Sequence, residues 1–269
     1  MTKIAFVGGG NMATSLIGGL VERGTGAEIA VSDPLPERRD ALTSRFSVAA
    51  SSDNLEAIRG AQTVVLAVKP QVMRDVATQI AAAAKRSRPL LVSIAAGVPI
   101  SSLTRWLGYD AAVVRAMPNT PALLGCGATA LYASAEVSEA QRAQADEVLS
   151  AAGITIWLDD EAQIDAVTAV SGSGPAYFFL LMEHMIEAGV DLGLTAEVAR
   201  RLTLQTALGA ARMALEGEDE PGALREKVTS PGGTTERALR IFAEGGIGKL
   251  VRAALTGARD RSRELASGG

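Results

Sequence analysis

Histidine, cysteine and aromatic side chains are scarce in this chain, and each shortage closes a class of function. A single cysteine, Cys126, rules out an intramolecular disulfide, and with one histidine, His184, it makes no metal-binding cluster. No histidine-based triad is legible, and a Cys–His pair would need these two residues to converge. His184 lies mid-helix in Leu181-Met182-Glu183-His184-Met185 and is assigned no role. Cys126, within Leu124-Gly125-Cys126-Gly127, reads as a small buried residue. Aromatics are 4% of the residues against 48% hydrophobic, so the core must be built from Ala, Val, Leu and Ile. No strong charge of one sign appears: 26 basic and 30 acidic residues leave a net −4, which argues against a nucleic-acid or polybasic membrane surface. The longest unbroken apolar run, Ala176 to Met182, is too short to span a bilayer. Met1-Thr2-Lys3 leads straight into a strand-like run, so no signal peptide is expected, and a soluble cytoplasmic protein is.

What the chain does have, over 269 residues, is room for about two domains. Up to about residue 160, short apolar runs alternate with helical patterns, as in a parallel doubly wound sheet. Ile4 to Val7 runs into Gly8-Gly9-Gly10-Asn11-Met12-Ala13, a G-x-G-x-x-A turn followed by a helix-length pattern to Arg23. In that setting Gly8 permits the tight turn, Gly10 lets backbone approach a pyrophosphate, and Ala13 lets helix and sheet pack closely. A second strand, Glu28 to Val31, ends at Ser32-Asp33. An acidic residue there can hold the ribose 2′-hydroxyl of NAD, while Arg38 and Arg39 can pair a 2′-phosphate or simply form a solvated helix face. The choice between NADH and NADPH stays open on these residues. Further strands are expected at Thr63 to Val68 before Lys69-Pro70, Leu90 to Ile94 before Ala95-Ala96-Gly97, and Ala112 to Met117 before Pro118-Asn119-Thr120-Pro121. Ala128 to Ala133 and Thr155 to Leu158 should flank a helix from Ser138 to Ala151.

Past Asp159-Asp160-Glu161 the alternation stops and helices take over. Tyr177, Leu180, Leu181 and Ile186 belong to a long helix opened by Ser171 to Pro175, and Leu204, Leu208, Ala211 and Leu215 to another rich in small residues. One layer of such helices has more apolar surface than it can cover, which suits a dimer interface. Near the end, Ser230-Pro231-Gly232-Gly233-Thr234-Thr235 makes a turn into a helix. The plain reading is a turn and a Thr-capped helix. The functional one is a helix start whose free amides and hydroxyls hold a carboxylate or phosphate.

Five motifs together carry a resemblance: Gly8 to Ala13, Ala67-Val68-Lys69-Pro70-Gln71, Met117 to Pro121, Val167 to Tyr177, and Val228 to Thr235. With them the chain resembles the pyrroline-5-carboxylate reductases over essentially its whole length. The resemblance implies an α/β fold with an N-terminal Rossmann-type doubly wound sheet (residues 1–160) and a C-terminal all-helical substrate-binding and dimerisation domain (161–269). It implies reduction of 1-pyrroline-5-carboxylate to L-proline by hydride from NADPH or NADH, in a homodimer or a ring of dimers. Thr235 matches the threonine at the substrate ring nitrogen, Ser230, Gly233 and Thr234 the carboxylate site, and Glu161 a substrate-pocket acid. Cofactor contacts map onto Gly8, Gly9, Gly10, Asn11, Met12, Ala13, Asp33, Asn54, Val68, Lys69, Pro70, Ala95 and Ala96. NADPH is favoured by the resemblance, although Asp33 stands where serine or asparagine is frequent in NADPH users. Lys227 replaces an asparagine seen in relatives. Competing readings are a reductase of a related cyclic imine and a non-catalytic NAD(P)H-binding regulator. A β-hydroxyacid dehydrogenase is disfavoured, because no lysine follows Gly172-Ser173-Gly174.

Overall fold

The computed structural model describes residues 2–266; Met1, where the leader reading begins, and 267–269, the end of the expected helical domain, lie outside them. Among the described residues eight strands form one sheet: β1 (Lys3–Val7), β2 (Glu28–Ser32), β3 (Ala49–Ser51), β4 (Thr63–Leu66), β5 (Leu90–Ser93), β6 (Val113–Met117), β7 (Gly127–Ala133) and β8 (Gly153–Trp157). Their spatial order is β3-β2-β1-β4-β5-β6-β7-β8. The crossovers carry α1 (Asn11–Glu22), α2 (Pro36–Phe46), α3 (Asn54–Ile58), α4 (Pro70–Ser87), α5 (Ile100–Leu107) and α6 (Glu139–Ser150). Then follow α7 (Gln163–Val167), α8 (Gly174–Asp191), α9 (Ala196–Glu216), α10 (Pro221–Lys227), α11 (Thr234–Glu244) and α12 (Ile247–Ala266).

Side-chain alternation explains the layers. Ile4 and Phe6 face one core with Leu16, Ile17 and Leu20 of α1, while Ala5 and Val7 face the other with Met73, Ala77 and Ile80 of α4. Those helical residues recur at intervals of three and four, so each helix lays one stripe on the sheet. Burying each leucine or isoleucine contributes about 1.5–3 kcal/mol. Ser138 starts α6 through a capping box with Gln141.

Two sequence expectations change. The sheet is not wholly parallel: β7 runs antiparallel to β6. The link between them, 118–126, holds only a 3-10 turn at Thr120–Leu124, too short for the crossover that parallel strands require. Chain direction is reversed there, and α6 then returns β8 parallel to β7. Cys126, expected to be buried, is exposed in that link. Asn119, at the start of the same loop, ties it down: its Oδ1 accepts from Ala128 N–H (2.9 Å) and its Nδ2 donates to Ser171 O (3.1 Å).

The chain divides into two compact units. One reaches to Ser173 and takes back the chain from Ala258; the other is Gly174–Gly257. The strand–helix alternation does end near 160, but α7 packs on β6 and β7 and carries the first unit past it. In the second unit α8 and α9 pack as a hairpin, with Gly189 close against Ala199. Much apolar surface stays exposed there: Phe178 is 65% exposed, Leu208 54% and Leu250 70%. A π-helical turn, Thr168–Gly172, joins α7 to α8. The helical run Gln163–Asp191 is therefore longer than its unbroken apolar core, and by length and hydropathy alone it could cross a bilayer.

Candidate functional site

The first cradle forms where β1 turns into α1. Gly8 takes φ +101°, and a Cβ on it would lie 2.6 Å from Ala67 O, so only glycine fits. Beside Gly10 no atom of the described residues lies within 4 Å, leaving the outer side of the turn open. The first helical bond of α1 is Thr14 N–H to Gly10 O (2.9 Å). The amides of Asn11, Met12 and Ala13 therefore precede the hydrogen-bond ladder and stand at the positive end of the helix dipole. Amides so arranged suit an anion such as a pyrophosphate.

Around it the structure gathers the other expected cofactor residues at the C-terminal edge of β1, β2, β4 and β5. Successive connections leave β1 in opposite directions here, which is where open α/β sheets bind ligands. Val68, Lys69 and Pro70 follow β4, with Pro70 starting α4. Ala95, buried, and Ala96, exposed, follow β5. Asn54 accepts from Ser32 Oγ (2.7 Å) and donates to Gln79 Oε1 (2.8 Å), pinning the end of β2 to α3 and α4.

Asp33 is 2% exposed and points inward. Its Oδ2 accepts from Gly9 N–H (2.8 Å) and its Oδ1 from Leu35 N–H (2.9 Å). Arg38 lies 3.4 Å from Oδ2, and Arg39 Nη1 donates to the carbonyls of Asp33 (2.8 Å) and Pro34 (3.0 Å). The carboxylate thus braces the glycine turn, with the Arg38 guanidinium next to it and that of Arg39 on the backbone carbonyls that follow.

Glu161 sits between β8 and α7. Its Oε1 accepts from Arg115 Nη1 (2.8 Å) and from Ile100 N–H (2.9 Å), the first amide of α5. Arg115 is 4% exposed. Neither this link nor Arg115 was expected; the signal was one arginine inside the apolar run Ala112 to Met117.

The second cradle, in the other compact unit, is the turn before α11. Gly233, not a threonine, is the N-cap, and no side chain caps the helix. Gly232 takes φ +71°. Gly233 N–H bonds Ser230 O (3.0 Å), and Arg237 N–H to Gly233 O (3.2 Å) is the first helical bond. The amides of Thr234, Thr235 and Glu236 are left facing outward. Among the described residues neither threonine hydroxyl has a protein partner, and Thr235 is half-buried. The Glu236 carboxylate, also unforeseen, folds back to accept Gly232 N–H (2.7 Å). Lys227 pairs with Asp219 (2.5 Å), and His184 lies exposed beside Glu187 (3.0 Å).

A sheet of this order with an open glycine turn at its switch point is that of a Rossmann-type, dinucleotide-binding protein. Residues 3–97 match the family described as NADP oxidoreductase, coenzyme F420-dependent, and residues 161–265 match that of pyrroline-5-carboxylate reductase dimerisation. A pyrroline-5-carboxylate reductase of Pseudomonas aeruginosa is 58% identical over 98% of this chain and 97% of its own. The solved structure of a pyrroline-5-carboxylate reductase from Coxiella burnetii is 42% identical, with a TM-score of 0.95 and 98% of each chain covered. A Plasmodium falciparum pyrroline carboxylate reductase, solved with NADP bound, is 28% identical with a TM-score of 0.87 over 98% of each chain. The chain belongs to the pyrroline-5-carboxylate reductase family.

Proposed function

We propose that the protein reduces 1-pyrroline-5-carboxylate to L-proline, the last step of proline biosynthesis, with NADPH as the preferred reductant. The open start of α11 carries this reading. Three unpaired amides beside two unpartnered hydroxyls fit a small ring bearing a carboxylate. Ser230, Gly233 and Thr234 hold that carboxylate, and the Thr235 hydroxyl orients the ring nitrogen. The substrate nitrogen is an iminium when protonated, so as hydride reaches the ring carbon the C=N π pair becomes the nitrogen lone pair. No protein group need supply a proton in that step, which agrees with a chain holding one exposed histidine. Orientation and electrostatics carry the catalysis.

The Gly8 to Ala13 turn fits a dinucleotide, and the reduced nicotinamide supplies the hydride. The structural support for NADPH is Asp33. Its two oxygens are taken by backbone amides and it is buried, so it is poorly placed for a ribose hydroxyl. Arg38 and Arg39 stand at the same corner and suit a 2′-phosphate.

A second copy of the chain covers the exposed apolar face of α8 and α9, supported by the dimerisation-family match. Lipid is a poor alternative for the run Gln163–Asp191, because Asp165, Glu183 and Glu187 lie along it. In this reading residues 1–160 bind the dinucleotide in a cytoplasmic enzyme, residues 161–269 serve substrate and assembly, and dimers join further into a ring.

The test is direct. Purified protein is mixed with 1-pyrroline-5-carboxylate and NADPH or NADH, and loss of reduced nicotinamide and appearance of proline are followed. Faster oxidation with NADPH is expected. No oxidation with either nucleotide, in protein that binds one of them, would overturn the reductase reading in favour of a sensor or another imine.

A further inference from the structure

The loop after β5, residues 94–99, carries Ala95 and Ala96 and is built to be held from outside. It leaves the sheet at Ile94, whose N–H bonds Leu66 O (3.2 Å). At its far end α5 begins behind Pro99, whose side chain offers no cap. The cap comes instead from 61 residues further along the chain, where Glu161 Oε1 takes Ile100 N–H. A carboxylate suits that amide, since it completes an orphan donor at the positive end of a helix. The same oxygen takes Arg115 Nη1.

Arg115 makes the arrangement obligatory. Its side chain is 5% exposed on the middle of β6, and its Nε and Nη2 have no protein partner among the described residues. Glu161 is its one ion-pair partner among the described residues. A buried guanidinium strongly disfavours losing its counter-charge, so it holds the Glu161 carboxylate at one position. Strand β6 is fixed by the sheet, Arg115 by β6, Glu161 by Arg115, and the start of α5 by Glu161. The far anchor of the Ala95–Ala96 loop is thereby referred to the sheet.

We propose that Glu161 is a positioning residue for the nucleotide, acting through Ile100 to set the 95–96 loop, with Arg115 as its holder, and is not a contact of the imine substrate. The inference rests on the reading that Ala95 and Ala96 touch the cofactor. With Oε1 carrying two donors, the carboxylate has one oxygen left, and its effect reaches the reaction through the loop.

The experiment separates nucleotide from substrate. NADPH dissociation constants are measured by fluorescence titration, and KM values for NADPH and 1-pyrroline-5-carboxylate by initial rates, in Glu161→Ala, Glu161→Gln and Ala96→Leu. Glu161→Ala is expected to weaken NADPH binding about tenfold, as loss of a charge-assisted hydrogen bond implies. The imine KM should stay within about twofold, since substrate binding is not touched directly. Glu161→Gln keeps an acceptor for Ile100 N–H but removes the charge opposite Arg115, so it should recover only part of the affinity; Ala96→Leu, which keeps the ion pair, is the variant to read if neither Glu161 form folds. A fall in melting temperature with NADPH affinity unchanged would mean a merely structural role and overturn the proposal. So would a raised imine KM at unchanged NADPH affinity, which would put the carboxylate at the substrate. Weaker NADPH binding in Ala96→Leu but not in Glu161→Ala would leave the loop at the cofactor and remove the clamp. Unchanged binding in both would remove the loop contact and the clamp together.

Discussion

Replacing Asp33 with alanine separates two roles that an acidic residue at the end of β2 can play. Oδ2 bonds Gly9 N–H, whose residue is buried, and Oδ1 bonds Leu35 N–H, whose residue is 40% exposed. A hydrogen bond to a charged group contributes about 1.5–3 kcal/mol, and the buried Gly9 amide should sit at the upper end. Water can replace part of the Leu35 bond, and the half-exposed Arg38 pair adds at most about 1 kcal/mol. The sum is about 3–5 kcal/mol. For a chain of this size that is a fall in melting temperature of about 10 °C. Because the glycine turn loses its brace, NADPH and NADH affinities should fall together. Thermal unfolding and fluorescence titration with both nucleotides read the result. A melting temperature within about 2 °C of the parent, with NADH binding alone lost, would refute the reasoning, because the carboxylate would then be gripping the ribose.

Three other perturbations follow from the same geometry. Arg39→Ala should lower kcat/KM for NADPH by about tenfold or more, the worth of one charge-assisted contact, and leave NADH almost unchanged. Equal loss with both nucleotides would take Arg39 away from the 2′-phosphate. Thr235→Ala deletes an unpartnered hydroxyl, so fold and NADPH affinity should hold while kcat/KM for the imine falls about tenfold. Steady-state rates with titrated NADPH check this, and unchanged turnover removes the residue from the mechanism. Burial holds the Tyr109 hydroxyl above its usual value of 10.0 against the opposing pull of Arg88, so the folded chain keeps that proton longer than the unfolded one. That contribution is present below pH 10.0 and lost as pH rises through the folded value, so Tyr109→Phe should flatten the alkaline fall in stability. Its Oη has no partner among the described residues, so near neutrality the variant should cost under about 1 kcal/mol. Denaturant midpoints at pH 8 and above 10 read both effects.

Local chemistry was legible wherever a residue's own backbone needs dictated it. The glycine turn could be read because Gly8 to Ala13 follows an apolar run and precedes a helical stripe. Strands buried on both faces announce themselves as unbroken runs, as Thr63 to Leu66 does, and Ser138 with Gln141 names its own helix start. The α11 cradle was visible for the same reason. Pro231, Gly232 and Gly233 break one structure and open another within six residues. The β3 edge strand, three residues long, escaped because it is too short to show a period.

The reversal of β7 lay beyond sequence pattern, since an apolar run reads the same in both directions. Only the short 118–126 link forces it. Likewise a lone Cys126 between glycines carries no mark of burial, and the loop geometry left it exposed. Asp33 shows the limit most plainly. Its place after β2 put it beside the glycine turn, but which way the carboxylate points depends on where Gly9 and Leu35 bring their amides. Glu161 depends on more distant partners still, Arg115 on β6 and Ile100 at the head of α5. By itself the sequence determined the Rossmann alternation, the two glycine-led helix starts and the apolar helical face. The tertiary structure decided which charged groups are left for a ligand, because donors far apart in the chain meet their acceptors only when the sheet has assembled.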